Sequence, residues 1–314
     1  MAAAISVPAH ADNFPSKTVE LICTTTPGSG AAHFCHMIAN GLKEKDALNT
    51  PVKVVFKSGG SNFEPVLYVQ NRPADGHTIM HMSASFAGYF NLPHFKYGAK
   101  DFDILAKIEK HLYAVGVNSK SPWKTYADLI KDAKANPGKI SMGSNKIGST
   151  HHRLQELLHK TVGINIRFVP YQGTGDVLKD VVGEHLEVGL VQPGNWLAQV
   201  RAGKARILLV LNETRMTHPD LKDIPIPADL GFKYNMPHQF QAFMVKKGTP
   251  KDRMQILQKA LAKIATTKDY QAYIAKQPHV IPAFDANTEA MNKDFLEATK
   301  DTRAMMVNLG ILKK

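Results

Sequence analysis

Short apolar segments alternate with amphipathic ones along almost the whole chain, and this alternation limits the folds that it can adopt. Residues 19–23, 52–56 and 188–191 are short and rich in Val, Ile and Leu, as expected of buried strands. Longer segments with apolar residues every three or four positions, such as residues 125–134 and 251–265, are typical of helices. Strands that alternate regularly with helices predict an α/β fold with parallel sheets covered by helices on both faces.

The first strand-to-helix turn consists of small and hydroxylic residues. Residues 24–30 are Thr-Thr-Thr-Pro-Gly-Ser-Gly, between the predicted strand over 19–23 and a predicted helix over 31–42. Free backbone N–H groups and about half a unit of positive charge are expected at the start of this helix. Such a turn accepts an anion, usually a phosphate or a carboxylate.

Three later strands end in turns of the same kind, at residues 83–85, 143–150 and 171–174. Each turn alone is weak support for a binding site, because Gly and Ser are common between strands and helices. In open parallel sheets, however, ligands bind beyond the carboxyl ends of the strands, where all four turns are expected. Together they predict a cleft lined by hydroxyls and backbone N–H groups. Such a cleft suits a small carboxylate without requiring an arginine.

The chain is basic. Its 314 residues include 39 Lys and Arg against 27 Asp and Glu, a formal net charge of +12. Nucleic-acid binding is one interpretation of this charge. A basic surface without that function is favoured, because the lysines are scattered and no basic segment is interleaved with aromatic residues. The sequence contains no run of about 18 apolar residues of the kind that spans a membrane.

The two cysteines, Cys23 and Cys35, lie on the first predicted strand and the first predicted helix. A disulfide between them is one interpretation in an oxidising compartment. Two buried, unpaired side chains are favoured, because a strand face and a helix face rarely bring such a pair to bonding geometry.

The N-terminal segment indicates export. Residues 2–11 are rich in Ala and end in Ala-His-Ala, which is typical of the end of a secretory signal peptide. The positively charged start of such a peptide is missing. We therefore expect a periplasmic protein whose signal peptide is largely trimmed.

Motifs for catalysis are incomplete. Residues 28–33 have the first two glycines of the dinucleotide-binding fingerprint but lack the third, and no phosphate-loop motif occurs. The histidine pairs 33/36 and 151/152 match no zinc motif, and no serine lies in a G-x-S-x-G context. The sequence favours binding without turnover and predicts neither a cofactor nor a metal. A periplasmic hydrolase or isomerase that uses the same cleft is the alternative.

Six short segments resemble one protein family. In chain order they are Pro-Ala-Asp-Gly-His-Thr (73–78), Asn-Pro-Gly-Lys (136–139), Gly-Ser-Thr-His-His (148–152), Val-Pro-Tyr-Gln-Gly (169–173), Ala-Gly-Lys-Ala-Arg (202–206) and Lys-Gly-Thr-Pro (247–250). With them the chain resembles the periplasmic solute receptors of the tripartite tricarboxylate transporter system, the Bug family. The resemblance extends from residue 14 to the C-terminal helix.

The resemblance implies a two-domain periplasmic-binding-protein fold, type II-like, in which each domain is a mainly parallel sheet flanked by helices and the ligand cleft lies between them. It implies a first domain of residues 12–118 and 239–314 and a second of residues 119–238, with residual signal peptide over 1–11. It implies a monomer that captures a small di- or tricarboxylate or an aromatic carboxylate. One large and one small membrane subunit would receive the ligand, and a receptor that feeds a membrane sensor is a further alternative.

Carried over onto this chain, the resemblance also implies a ligand site made of the four turns and one later position, Gln192, where the family has a variable residue that helps to set ligand choice. The implied ligand-binding residues are Thr25, Thr26, Gly28, Ser29, Gly30, Ser83, Ser85, Ser144, Asn145, Ser149, Thr150, Tyr171, Gly173, Thr174 and Gln192. Ala32 and Lys146 join this set as positions that affect ligand choice.

Four positions depart from the family pattern. Ser29 follows Gly28 where the family usually has a second Gly. Ala32 stands where an Asp is usual, His36 where an Arg is usual, and Lys146 where a small residue is usual. Loss of the Asp removes an acceptor and a negative charge from the pocket, and Lys146 adds a positive charge if it points inward. We expect a pocket that rejects ligands with an amino group and favours a dianion or an aromatic carboxylate. Simple repacking of the first helix around Ala32 is the alternative.

Overall fold

The computed structural model describes residues 13–233 and 239–313. The expected signal-peptide segment, residues 1–11, lies outside the described residues. Within the described part of the chain, no helix is both long and apolar enough to cross a membrane.

Eleven strands occur among the described residues. They are β1 (Val19–Cys23), β2 (Val52–Phe56), β3 (Thr78–Ser83), β4 (Phe102–His111), β5 (Tyr113–Asn118), β6 (Ser141–Asn145), β7 (Arg167–Tyr171), β8 (Val188–Val191), β9 (Ala205–Leu211), β10 (Gln239–Lys246) and β11 (Val280–Asp285). They form a six-stranded sheet in the order β11-β4-β10-β3-β1-β2 and a five-stranded sheet in the order β7-β6-β8-β5-β9.

Helices follow most of the strands, as the alternating pattern predicts. They are α1 (Gly30–Lys43), α2 (Gly59–Gln70), α3 (Phe86–Tyr89), α4 (Tyr126–Ala135), α5 (Thr150–Val162), α6 (Thr174–Val182), α7 (Pro193–Arg201), α8 (Lys251–Ile264), α9 (Lys268–Ala275) and α10 (Thr288–Asn308). Two 3-10 turns span Ala99–Asp101 and Pro227–Leu230.

Successive side chains of a strand point to opposite faces of its sheet, so a buried strand contributes to two apolar layers. In β1, Leu21 packs in the layer that contains α1 and α8, whereas Ile22 packs in the layer that contains α2 and α10. The five-stranded sheet likewise has one layer under α4 and α5 and another under α6 and α7. The predicted α/β class with two helix-flanked sheets is confirmed.

Both sheets are mixed. β1 pairs in parallel with β2 and β3, and β6 pairs in parallel with β7 and β8. The remaining five pairings among the described strands are antiparallel, and each of them involves β4, β5 or β10. The parallel pairing expected for both sheets is therefore limited to the segments in which strands and helices alternate.

The chain passes from one sheet to the other at Leu112, between β4 and β5, and joins the first sheet again with β10. The expected domain boundary after residue 118 lies one strand later than this passage. The division into domains stays a prediction, whereas the division into sheets is a property of the structure.

Three local features differ from the sequence prediction. α9 and β11 were not predicted, because α9 has one fully buried side chain, Tyr270, and β11 is an edge strand interrupted by Pro282. The sequence Gly-Thr-Pro over residues 248–250 predicts Thr249 as the cap of α8. In the structure Pro250 occupies the cap position, and the Thr249 hydroxyl donates to the Lys246 carbonyl at 2.8 Å.

Candidate functional site

Between the two sheets lie two neighbouring cavities, which we call the first and second chambers. Each has a volume of about 440 Å³. The first chamber is lined by Thr24, Thr25, Thr26, Ala31, Ser58, Asn62, His81, Ser83, Ser85, Tyr89, Asn145, Lys146, Gln172, Gln239 and Gln241. The second is lined by Gly28, Ser29, Ala31, His33, Phe34, Glu109, His111, Thr174, Gln192, Asn195, Gln241, Tyr273, Gln277 and His279. Ala31 and Gln241 line both, so the chambers adjoin.

All four predicted turns contribute to the first chamber. The turn after β1 supplies three threonines, the segment after β3 supplies Ser85, and the ends of β6 and β7 supply Lys146 and Gln172. The turns meet because the ends of these strands face each other across the gap between the sheets. The sequence-based expectation of a hydroxyl-rich cleft at the carboxyl ends of the strands agrees with this geometry.

Ser29 fixes the shape of the turn after β1. Its Oγ accepts a hydrogen bond from the backbone N–H of Ala32 at 3.1 Å, caps α1, and donates to the carbonyl of Thr26 at 3.0 Å. The Thr25 hydroxyl lies 3.0 Å from the same oxygen. Gly28 has a φ of +82°, which favours glycine over any residue with a side chain. The turn is therefore held by its own side chains before any ligand arrives.

Cys23 and Cys35 form a disulfide, with Cα atoms 6.1 Å apart. The expectation of two unpaired side chains is wrong, because α1 folds back over β1 and directs the second turn of the helix at the end of the strand. The bond joins residues 12 positions apart in the sequence. It closes a loop that contains the whole turn over residues 24–30. The two sulfurs and a His81 ring nitrogen lie within 4.8 Å of one another, but disulfide sulfurs are not thiolate ligands for a metal.

His81 forms the back of the first chamber. Its Nε2 lies 2.7 Å from Gln241 Oε1 and its Nδ1 lies 2.9 Å from Thr24 Oγ1. Burial lowers the pKa of His81 to about 4, so the ring is neutral near pH 7. It then donates to Gln241 and accepts from Thr24, and Thr24 is anchored while Thr25 and Thr26 face the chamber.

Lys146 supplies the charge of the first chamber. It is the only Lys, Arg, Asp or Glu among the described residues that line this cavity. Its ammonium group has no carboxylate within ion-pair distance among the described residues. The other lining groups are hydroxyls, amides and one neutral imidazole, so the chamber carries a positive charge among hydrogen-bonding groups.

The second chamber contains a buried carboxylate with its own partners. Glu109 Oε1 lies 2.7 Å from His111 Nε2, and the hydroxyls of Tyr270 and Tyr273 lie 3.5 Å from the two Glu109 oxygens. No part of Glu109 is exposed, whereas about a tenth of the His111 side chain is. A ligand in this chamber therefore meets His111, with Glu109 behind it.

The start of α5 has a different environment from the other predicted turns. The Ser85 hydroxyl accepts from the backbone N–H of Thr150 at 3.1 Å. The Ser149 hydroxyl caps α5 by accepting from the backbone N–H of His152 at 3.3 Å. Ser149 and Thr150 are buried and line a third cavity of about 270 Å³ against α10. This helix start is therefore occupied by Ser85, which belongs to the other half of the molecule.

The remaining predicted site residues lie outside the lining of both chambers. Ala32 is 2% exposed and sits behind the turn. The Tyr171 hydroxyl donates to Asp180 at 2.7 Å, and Ser144 is fully buried. Gly173 occupies the cap position of α6 and lines neither chamber, and Gly30 is the first residue of α1. His36 is exposed and contacts the ring of Phe56.

Several lining residues have no local sequence signal. His81 lies between Met80 and Met82 in β3. Glu109, His111, Gln241 and His279 come from three segments of the sequence. Glu109 does not stand out in the sequence either, because β4 also contains the charged residues Asp103, Lys107 and Lys110.

Comparison with known proteins agrees with this architecture. Residues 35–310 match the model of the tripartite tricarboxylate transporter family receptor, TctC. The chain belongs to this receptor family. Among curated relatives of the receptor, protein BugT of Bordetella pertussis is 27% identical over 251 residues, 79% of this chain and 76% of BugT.

Two solved structures illustrate the shared fold of the receptor. A TctC solute-binding protein from Polaromonas, solved without ligand, has a TM-score of 0.77 and 22% identity, covering 94% of this chain and 99% of that one. An R. palustris protein solved with adipate has the same TM-score and identity, covering 93% and 98%. The periplasmic-binding-protein fold of this solute-receptor family is thus established for the chain.

Proposed function

We propose that this receptor captures a small carboxylate between its two sheets and releases it to the membrane subunits of a tripartite transporter. The observation that carries the proposal is the first chamber, in which Lys146 is the single charged group among the described lining residues and is surrounded by threonine, serine and amide side chains. A carboxylate there gains one ammonium partner and several neutral donors. The relative solved with adipate supports a carboxylate as the class of ligand.

The strength of binding follows from the number of donors. Each hydrogen bond to a charged acceptor contributes on the order of 1.5–3 kcal/mol. Four to six such bonds, reduced by the entropy lost on capture, correspond to micromolar binding or tighter. Thr25, Thr26, Ser83 and Lys146 are the donors that we assign to the carboxylate, and Asn145 and Gln172 complete the set.

Ligand capture involves closure of the two halves. We assign residues 12–118 and 239–314 to one domain and 119–238 to the other, which join through the two segments that connect the sheets. A hinge at such crossing segments allows the halves to close on a ligand. We further propose that the receptor is exported to the periplasm, acts as a monomer, and neither transforms its ligand nor needs a cofactor or metal.

A thermal-shift panel tests the proposal. Mono-, di- and tricarboxylates, aliphatic and aromatic, are compared with amino acids. Ligand at about 100 times its dissociation constant stabilises the folded state by roughly 2.7 kcal/mol, which raises the melting temperature visibly. Stabilisation by amino acids and by no simple carboxylate would contradict the proposal.

Mass spectrometry of the same mixtures tests the enzyme alternative. The receptor is expected to return every carboxylate unchanged after prolonged incubation. A product that accumulates with protein concentration would instead support a periplasmic hydrolase or isomerase.

A further inference from the structure

The disulfide between Cys23 and Cys35 has a histidine beside it. A ring nitrogen of His81 and the two sulfurs all lie within 4.8 Å of one another. The strand register explains this placement, because β3 pairs in parallel with β1 and Ile22 lies opposite Met80. The positions that follow in the two strands are Cys23 and His81, and α1 returns over the same strand end with Cys35.

The spacing of these three atoms suits a four-coordinate metal ion. Zinc binds thiolate sulfur at about 2.3 Å and imidazole nitrogen at about 2.0–2.1 Å, so the ligand atoms of a tetrahedral site stand roughly 3.5–3.8 Å apart. Bonded sulfurs stand closer than this, and reduction removes the bond that holds them there. The three residues belong to two paired strands and to the helix joined to them, so the fold itself keeps the ligand atoms together.

The chemistry of the donors selects the kind of ion. Two thiolates and one imidazole favour Zn²⁺ and related thiophilic ions over Mg²⁺ and Ca²⁺. A divalent ion bound by two thiolates is electrically neutral, as the disulfide is. The group can therefore hold an ion without burying a net charge, although both cysteines are fully buried and His81 is 3% exposed.

One coordination position is left over. Among the described residues no fourth His, Cys, Asp or Glu belongs to the group, so water or an anion would complete a tetrahedral site. Solvent reaches the group from the first chamber, because His81 lines that chamber. The same arrangement, three protein ligands and one exchangeable position, is typical of zinc sites that stay open to solvent.

The group also shares hydrogen bonds with the wall of the first chamber. The two nitrogens of His81 lie 2.9 Å from Thr24 Oγ1 and 2.7 Å from Gln241 Oε1. Thr24 and Gln241 both line the chamber. Whichever nitrogen binds an ion gives up one of these contacts, so an occupied site releases a residue of the chamber wall.

From this geometry we infer that the reduced protein has a thiophilic metal site, in which Cys23, Cys35 and His81 bind one Zn²⁺ or a similar divalent ion. A phosphine reductant supplies the two electrons that convert the disulfide to two thiols. It becomes a phosphine oxide, and its oxygen and the two thiol protons come from water. The ion then displaces both thiol protons and takes the imidazole as its third ligand. Carboxylate capture by the oxidised protein does not depend on this site.

The test uses Co²⁺ as a spectroscopic probe of the zinc site. The full chain is unfolded in urea with the phosphine, which then reaches the buried disulfide, and is refolded near neutral pH without oxygen. Circular dichroism shows whether the helices and strands return. Co²⁺ is expected to produce a near-ultraviolet thiolate-to-cobalt band and the visible bands of a four-coordinate ion, which saturate at one ion per chain. Excess Zn²⁺ should remove these bands, and the oxidised protein should show none of them.

The thiolate band distinguishes this site from the other histidines of the chain, which have no sulfur near them to give it. A reduced chain that refolds only when Co²⁺ or Zn²⁺ is present, and then shows the band with Co²⁺, would also support the site, because metal binding then contributes to folding.

Two variants each remove one ligand. His81→Gln and Cys35→Ser are both expected to lower the Co²⁺ affinity of the reduced protein by at least about tenfold, since even residues behind the ligands of a metal site have effects of this size. His36→Gln is the matched control, because it removes an exposed histidine one position after Cys35 and should leave the affinity unchanged. Cys35→Ser keeps His81 and its hydrogen bonds, so it tests the site even where His81→Gln does not fold.

Three results would overturn the site. They are a reduced chain that folds but shows no thiolate-to-cobalt band, a reduced chain that folds with neither ion, and a Co²⁺ affinity that neither ligand variant lowers. Each of them leaves the carboxylate proposal standing, because that proposal is tested on the oxidised protein.

Discussion

At the scale of single residues, Lys146 gives the first chamber its positive charge. It follows β6, and its backbone N–H donates to the Asn145 side chain at 2.9 Å, which fixes the direction of the turn. The other described residues that line this chamber are neutral, so in the proposed site one ammonium group sets the preference for an anion.

Replacement of Lys146 by Ala is expected to weaken carboxylate binding by about 1.5–3 kcal/mol, because a charged hydrogen bond is lost without replacement. Lys139→Ala, which removes an exposed lysine just before β6, is the matched control and should leave the affinity unchanged. Both affinities are measured by calorimetric titration. An unchanged affinity in the Lys146→Ala variant would remove Lys146 from the site.

The identity of residue 32 does not by itself determine whether its side chain faces the ligand. The departure from the family pattern is visible in the sequence, but its effect depends on where the side chain points. The structure buries Ala32 behind the turn, and the neighbouring Ala31 lines both chambers. Whether Ala32 changes ligand choice stays a prediction.

At the scale of elements, the disulfide and the turn after β1 form one unit. Cys23 ends β1, Cys35 lies in α1, and the segment between them holds Thr25 and Thr26, two of the residues assigned to the ligand. Closing a loop of this size lowers the entropy of the unfolded chain, and it also limits the freedom of the turn when no ligand is bound.

Replacement of both cysteines by Ala is expected to lower the free energy of unfolding by about 3 kcal/mol, the loop-closure value for a loop of this length. Urea denaturation measures the change. Wild-type protein unfolded and refolded in excess dithiothreitol should approach the stability of the variant. A variant as stable as the oxidised wild type would show that the disulfide does not contribute to the free energy of unfolding.

Local sequence patterns predicted most elements and all four turns, because a strand, a helix and a Gly/Ser turn are each encoded over a few adjacent residues. They could not predict the disulfide, which depends on how α1 lies across β1. They could not predict the second chamber either, since Glu109, His111 and His279 meet only after β11 pairs with β4. Val280 in β11 lies opposite His111 in that pairing, which brings the adjacent His279 to the chamber.

At the scale of the whole molecule, the two halves touch at a pair of glycines. A Cβ on Gly88 in α3 would lie 1.8 Å from the carbonyl oxygen of Gly148, just before α5. The contact adjoins the hydrogen bond from Thr150 to Ser85. No side chain fits there unless the halves move apart.

Gly88→Ala is therefore expected to oppose closure and to weaken ligand binding by about 1–3 kcal/mol, the usual cost of overpacking. Gly98→Ala is the matched control, because a Cβ at Gly98 meets no atom within 4 Å. Calorimetric affinities of the two variants are compared. Equal affinities would show that this contact does not take part in closure.

Buried histidines couple the stability of the molecule to pH. Burial lowers the pKa to about 4 for His81, His152 and His159 and to about 3 for His151 and His279. The same side chains titrate near 6.5 when exposed. Between about pH 6.5 and pH 4 the unfolded chain therefore binds more protons than the folded one.

The free energy of unfolding should thus fall as the pH drops below about 6.5 and should be insensitive to these groups above about pH 7. Each histidine contributes a slope of up to about 1.4 kcal/mol per pH unit. Urea titrations between pH 7.5 and 5 measure the slope. His151→Gln should flatten it, whereas the exposed His185→Gln should not. A stability that rises on acidification would contradict the neutral state of these rings.

In the proposed function, the molecule as a whole binds one small carboxylate between its sheets and does not transform it. Isothermal titration of the wild-type receptor with the carboxylate panel tests this most directly. For at least one acid we expect a saturable heat with one ligand per chain and a return to the original baseline after saturation. The absence of saturable heat for every acid, or a steady heat flow that persists after saturation and indicates turnover, would contradict it.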